Sequence, residues 1–83
     1  SLFSRSIYLD SISWIGAKPD LPENLTVKVR YRQADQNCIL TKKGKGFFVR
    51  FDEPQRAVTP GQWACFYSGD WCLGGGVITS VNA

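Results

Sequence analysis

The sequence predicts an all-β domain, a small six-stranded antiparallel β-barrel, and three observations carry that prediction. Several short segments alternate apolar and polar residues with the period of two that marks a strand with one dry and one wet face. Turn-forming Gly, Pro, Asn and Asp clusters divide these segments every eight to twelve residues. No stretch holds a helical period over a useful length. Closure into a barrel, or nearly so, removes the open edges that a small sheet would otherwise expose.

Each element follows from its own residues. Ser4 to Ile15 carries Ile7, Leu9, Ile12, Trp14 and Ile15 and reads as a strand with a bend or bulge near Asp10 and Ser11. Residues 16–24 hold Gly, two Pro, two acids and Asn, which is loop chemistry. Leu25 to Gln33 alternates without error: Leu25, Val27, Val29 and Tyr31 on one face, Thr26, Lys28, Arg30 and Arg32 on the other. Residues 34–37 form a polar turn, Cys38 to Thr41 a short apolar strand, and Lys43-Gly44-Lys45-Gly46 a tight reversal. Phe47 to Phe51 follows as a strand, with Phe47, Val49 and Phe51 on one side. Pro54 and Pro60 keep residues 52–61 out of any central strand. Gln62 to Tyr67 is a strand, Ser68-Gly69-Asp70 a hairpin turn in which Gly supplies positive φ, and Trp71 to Leu73 resumes the pairing. Gly74-Gly75-Gly76 reads as a bulge or a corner where backbones approach, and residues 77–81 end the fold.

Length and composition narrow the function. Eighty-three residues make one small domain, which buries about 60% of its unfolded surface, a core but no deep enzyme cleft. Eleven aromatics and 43% hydrophobic residues fit a packed globule rather than disorder. No apolar run approaches the roughly 20 residues of a membrane span, and no cationic, apolar leader opens the chain. The chain starts at Ser1 and holds no Met, so it is expected to be a fragment of a larger protein. Cys38, Cys65 and Cys72 form no C-x-x-C, and an odd count argues against a secreted disulfide framework. A cytoplasmic setting is the expectation. With no His in the chain, a zinc site would need unusual ligands, and no metal site is expected. Cys65, in an apolar run, reads as a small buried hydrophobe.

Charge is where a function first shows. The chain is only +3, yet residues 28–50 hold seven cations and one acid, a block of +6 that leaves −3 for the remainder. This predicts a local basic patch facing something anionic, set against the plainer reading of a solvated face with Lys and Arg guarding an edge. Gly74 to Gly76 lacks the spacing of a phosphate loop, and no pair of acids stands out for general acid–base work. The domain therefore reads as non-catalytic by itself. Thr59-Pro60-Gly61-Gln62 suits a type II turn, which presents Gln62 at a strand start with donor and acceptor groups for a ribose, a phosphate or a base edge; a plain turn cap is the competing reading.

Together, V-R-Y-R-Q at 29–33, F-D-E-P-Q-R-A-V-T-P-G-Q at 51–62, F-Y-S-G-D at 66–70 and C-L-G-G-G-V-I at 72–78 resemble the C-terminal domain of the tRNA-specific 2-thiouridylases, the MnmA/TrmU family. The match runs in order across about three-quarters of the chain. The resemblance implies a barrel like the second domain of translation elongation factors. It implies a full-length sulfurtransferase that uses ATP, with Mg, to activate C2 of the wobble uridine, its nucleotide loop and two catalytic Cys lying in an N-terminal domain. It therefore assigns no catalytic and no cofactor-binding residue to this chain. It implies partners as well: tRNA, the N-terminal and central domains of the same enzyme, and a sulfur-donor protein. Family residues associated with tRNA contact map to Arg30, Tyr31 and Gln62.

Bottom-up chemistry agrees in part. Arg30 and Arg32 suit phosphates. Tyr31 alternates toward the apolar face and reaches RNA only where the strand ends or bulges. Two other classes compete: a translation-factor-like binding barrel of another nucleotide-dependent protein, and a structural module that only docks against sister domains.

Overall fold

The computed structural model describes residues 2–29 and 34–82. Its elements are β1 (Phe3–Leu9), β2 (Ser13–Trp14), β3 (Glu23–Lys28), β4 (Gln36–Lys43), β5 (Gly46–Arg56), β6 (Trp63–Ser68), β7 (Trp71–Val77) and β8 (Ser80–Asn82), with no helix among the described residues. The strands form one antiparallel sheet in the order β2-β7-β6-β3-β4-β5-β1-β8.

Eight strands stand where the sequence suggested six, and the ladder has two ends, β2 and β8, rather than a closed ring. Bends account for both differences. β1 and β2 are one chain turned at residues 10–12, and β7 and β8 are one chain turned at 78–79. The first bent chain meets the second twice, since β2 pairs with β7 and β1 with β8. Thr79 N donates to Tyr8 O at 2.8 Å, and Asp10 N donates to Thr79 Oγ1 at 2.9 Å, which fixes that corner.

Period-two alternation selects the core. Ile7 and Leu9 of β1, Val27 of β3, Leu40 of β4, Val49 of β5 and Phe66 of β6 are all fully buried. Truncating one such large side chain costs about 2–5 kcal/mol, so Phe66 alone is a sizeable part of a small domain's stability. The Gly44-Lys45 and Gly69-Asp70 turns each have positive φ at the glycine only (57° and 59°), the pattern of a type II′ hairpin.

Pro54 lies inside β5, against the expectation that this stretch leaves the sheet. The register supplies the reason. β4 pairs with β5 only as far as Cys38↔Phe51, and β1 pairs Ser6↔Arg50 and then Ser4↔Gln55. Pro54 thus sits in a bulge opposite Arg5, where no ladder bond needs its missing N–H.

Three successive glycines let β7 pass close against residues 11–14. Gly74, Gly75 and Gly76 are buried, and β7 is bulged at Leu73, between Cys72 opposite Tyr67 and Gly74 opposite Phe66. A β-carbon on Gly76 would collide with the Ser11 carbonyl, and one on Gly74 with the Ser13 carbonyl. One on Gly75 would stand 2.6 Å from Trp63 Nε1 and 2.7 Å from Ala64 O. The run is the seam where the backbones approach, as the sequence suggested.

Candidate nucleic-acid interface

β3 buries Leu25 and Val27 and turns Asn24, Thr26 and Lys28 outward, the alternation read from the sequence. Lys28 Nζ lies 3.5 Å from Asp35 Oδ1 and 5.9 Å from the centre of the Tyr67 ring. Both charged side chains are about one-third exposed, at 36% and 33%, so the pair contributes at most about 1 kcal/mol. Lys28 is thereby positioned while staying partly open to solvent.

Of the residues assigned to RNA contact, Arg30, Tyr31 and Arg32 lie outside the described residues. Gln62 is described, and it closes a type II turn. Gly61 has φ of 93°, Gln62 N donates to Thr59 O at 3.3 Å, and Thr59 N donates to Gln62 Oε1 at 3.1 Å. Two more bonds tie the turn to Ile78, just past the end of β7: Ile78 N donates to Gln62 O at 2.8 Å and Gly61 N donates to Ile78 O at 2.9 Å. The carboxamide oxygen therefore serves the turn, as the plainer reading held, while Nε2 has no partner among the described residues and remains a donor. Lys28 pairs with Cys65, three positions beyond Gln62, so this turn and the exit of β3 share one end of the barrel.

The +6 block is not one patch. Lys28 sits where β3 turns toward β4, whereas Lys42, Lys43 and Lys45 sit at the β4–β5 turn, at the far end of the eight-residue β4. At strand rise this separates them by about 26 Å. The far group is engaged with its own aromatics: Lys42 and Lys18 lie 4.7 and 5.7 Å from the Phe47 ring centre, and Lys43 lies 5.1 Å from that of Phe48. Lys42 Nζ also donates to Gly46 O at 3.2 Å. A hairpin places its ends apart however dense the cations are in sequence, and this corrects the expectation of a single basic patch.

The outer face of β6 supplies what sequence reasoning missed. Ala64 and Phe66 point inward, so Trp63, Cys65 and Tyr67 line up outward beside Lys28. Trp63 is 50% exposed, and its Nε1 donates to Cys65 Sγ at 3.2 Å. Cys65 is therefore half-buried on the outer face rather than a core residue. The signal was present in the alternation of W-A-C-F-Y, which an apolar run conceals. Partial desolvation, with Cys65 and Cys72 nearby, holds the Tyr67 phenol above its usual range against the pull of Lys28, so Tyr67 stays neutral and able to donate. Cys38 is the buried thiol. Burial first and Asp52 second push it up to about 12, against a backbone hydrogen bond at Leu25, so it stays protonated and a poor nucleophile.

Gly74 to Gly76 does not fit a nucleotide phosphate, because backbone and indole atoms occupy the space over the run. Among the described residues no three ligating side chains converge for a metal ion. No helix is long and apolar enough to cross a membrane.

Comparison with known proteins bears on this geometry. The aminomethyltransferase β-barrel domain family matches residues 4–78. A Pseudomonas aeruginosa protein named tRNA-specific 2-thiouridylase MnmA is 53% identical over 83 residues, covering 99% of this chain and 22% of the relative. Proteins of the same name from Pseudomonas fluorescens and Pseudomonas entomophila are 55% and 56% identical, over 93% and 98% of this chain and 21% and 22% of their own lengths. The chain thus spans about a fifth of the length of these curated relatives. With an antiparallel all-β fold and a match from the first strand to the end of the glycine seam, the chain belongs to the aminomethyltransferase β-barrel domain family.

Proposed function

We propose that this chain is the C-terminal, tRNA-contacting barrel of an ATP-dependent tRNA-specific 2-thiouridylase, a cytoplasmic sulfurtransferase that thiolates C2 of the wobble uridine. The observation that carries the reading is identity of 53–56% to proteins of that name over nearly the whole chain. The nucleotide loop for ATP with Mg and the two catalytic cysteines belong to the N-terminal domain on this reading, and a sulfur-donor protein is a partner of the whole enzyme. This chain's part is to hold the folded RNA.

The geometry supports a role in holding. Gln62 Nε2 has no partner among the described residues at the barrel end where Lys28 stands, and in sequence Arg30, Tyr31 and Arg32 follow β3 directly. Phosphate contacts of this kind position RNA, while an A-form stem hides its base edges in a deep groove.

Two measurements test the reading. The full-length protein carrying this chain restores 2-thiouridine in tRNA from a strain lacking the modification, as read by nucleoside mass spectrometry. Photocrosslinking that protein to tRNA labels peptides spanning residues 28–33 and 61–63. Crosslinks confined to the Lys42–Lys45 end, or no restored thiolation, would reject it.

A further inference from the structure

The outward row of β3 does not end at its cation. From Lys28 it runs through Thr26 to Asn24 and into a shallow cavity of about 250 Å³, bordered by Asn24, Thr26, Asn37, Asp52, Tyr67 and Ser68. Four strands contribute: β3, β4, β5 and β6. The side chains of Asn24, Asn37, Asp52 and Ser68 have no hydrogen-bond or ion-pair partner among the described residues, so their capacity is unspent by the fold. Asp52 forms no ion pair there, although Lys28 is paired with Asp35 at 3.5 Å. Tyr67 belongs to both regions: Lys28 Nζ lies 5.9 Å from its ring centre, and the residue borders the cavity.

This division of chemistry selects a ligand. A carboxylate turns phosphate away but accepts from paired N–H groups. Asparagine amides read the remaining donors and acceptors of a base, and an aromatic ring offers a stacking face. Guanine is the base whose Watson–Crick edge presents two adjacent donors, N1–H and the N2 amino group, to one carboxylate. Its phosphate needs a cation nearby, and Lys28 stands one outward step, about 7 Å, from Thr26 along the strand. We propose that the cavity receives one unstacked guanine of bound RNA, its N1–H and N2–H donating to Asp52 and its plane against Tyr67, with the adjoining phosphate on Lys28. The inference rests on the reading of the chain as an RNA-holding barrel.

The test is an NMR titration of the ¹⁵N-labelled chain with GMP, AMP, CMP, UMP and arginine amide, each taken into the millimolar range. Retained amide dispersion reports that each variant is folded. GMP is expected to shift the amides of Asn24, Thr26, Asn37, Asp52 and Tyr67 and to bind at least fivefold more tightly than the other nucleotides. Asp52→Asn is expected to abolish that preference, Tyr67→Phe to keep it and Tyr67→Ala to weaken GMP about tenfold. No shifts with any nucleotide, equal shifts with all four, or shifts with arginine amide in place of GMP would each overturn the proposal, the last pointing to a basic protein partner. Full-length tRNA binding separates the two readings: if it persists without a GMP response, the cavity assignment alone fails, and if it is absent while GMP binds, the RNA-holding role fails.

Discussion

Gly75 lies under the indole of Trp63, and a β-carbon there would stand 2.6 Å from Nε1 and 2.7 Å from the Ala64 carbonyl. The indole can swing aside, but the carbonyl is backbone and cannot. At Gly76 the obstacle is also backbone, the Ser11 carbonyl, with Leu9 Cδ2 behind it. Gly75→Ala and Gly76→Ala are therefore expected to destabilise the domain by about 1–3 kcal/mol, in line with overpacked sites. Urea unfolding midpoints check this, with Lys45→Ala in the exposed β4–β5 turn as a control expected to stay within about 0.5 kcal/mol.

Gln62 has two separable tasks. Its oxygen accepts from Thr59 N at 3.1 Å, and its Nε2 is left to donate. Gln62→Glu keeps an acceptor for the turn and removes the donor. Stability by urea unfolding is expected to change by less than about 0.5 kcal/mol, while tRNA binding of the full-length protein weakens. Gln62→Ala loses both, at a stability cost of about 0.5–1.5 kcal/mol. Equal tRNA binding by all three proteins would confine Gln62 to its turn.

Cys38 couples stability to alkaline pH. Its folded value lies above the ordinary 9.0, at about 12, so the unfolded chain loses that proton first. The contribution is fully present below 9.0 and falls as pH rises toward about 12. The slope within that window is at most about 1.4 kcal/mol per pH unit. Cys38→Ala is expected to be less stable at neutral pH but to show a flatter alkaline limb in denaturation curves. In the native chain a thiol reagent is expected to label the half-buried Cys65 and Cys72, and to reach Cys38 only on unfolding.

Local pattern was the readable part of this fold. The dry face of β3, the positive φ of Gly44, Gly61 and Gly69, and the crowding at Gly74–Gly76 all follow from a residue and its immediate neighbours. Features set by a distant partner strand did not show. Pro54 stays in β5 because Arg5, some fifty positions away, faces a bulge there. The same holds for the cations: proximity in sequence put Lys28 and Lys43 in one block, and the β3–β4–β5 meander put them at opposite ends. Cys65 shows a second obstacle: its outward position follows the alternation of β6, but apolar residues on both faces hide that alternation in the sequence. Of the candidate site, Gln62 was legible through its Pro-Gly turn, while Trp63, Tyr67 and the cavity beside Asp52 arise only when β3, β4, β5 and β6 are side by side.

On the proposed function, tRNA phosphates are held at the Lys28–Gln62 end of this barrel. The most direct measurement is the salt dependence of tRNA binding by the full-length protein, comparing the native sequence with Arg30→Ala and with Lys45→Ala at the opposite end. Arg30→Ala is expected to weaken binding and to lower the slope of log K against log salt by about 0.7–0.9, while Lys45→Ala is expected to leave both unchanged. An unaltered slope for Arg30→Ala together with a lowered one for Lys45→Ala would contradict it.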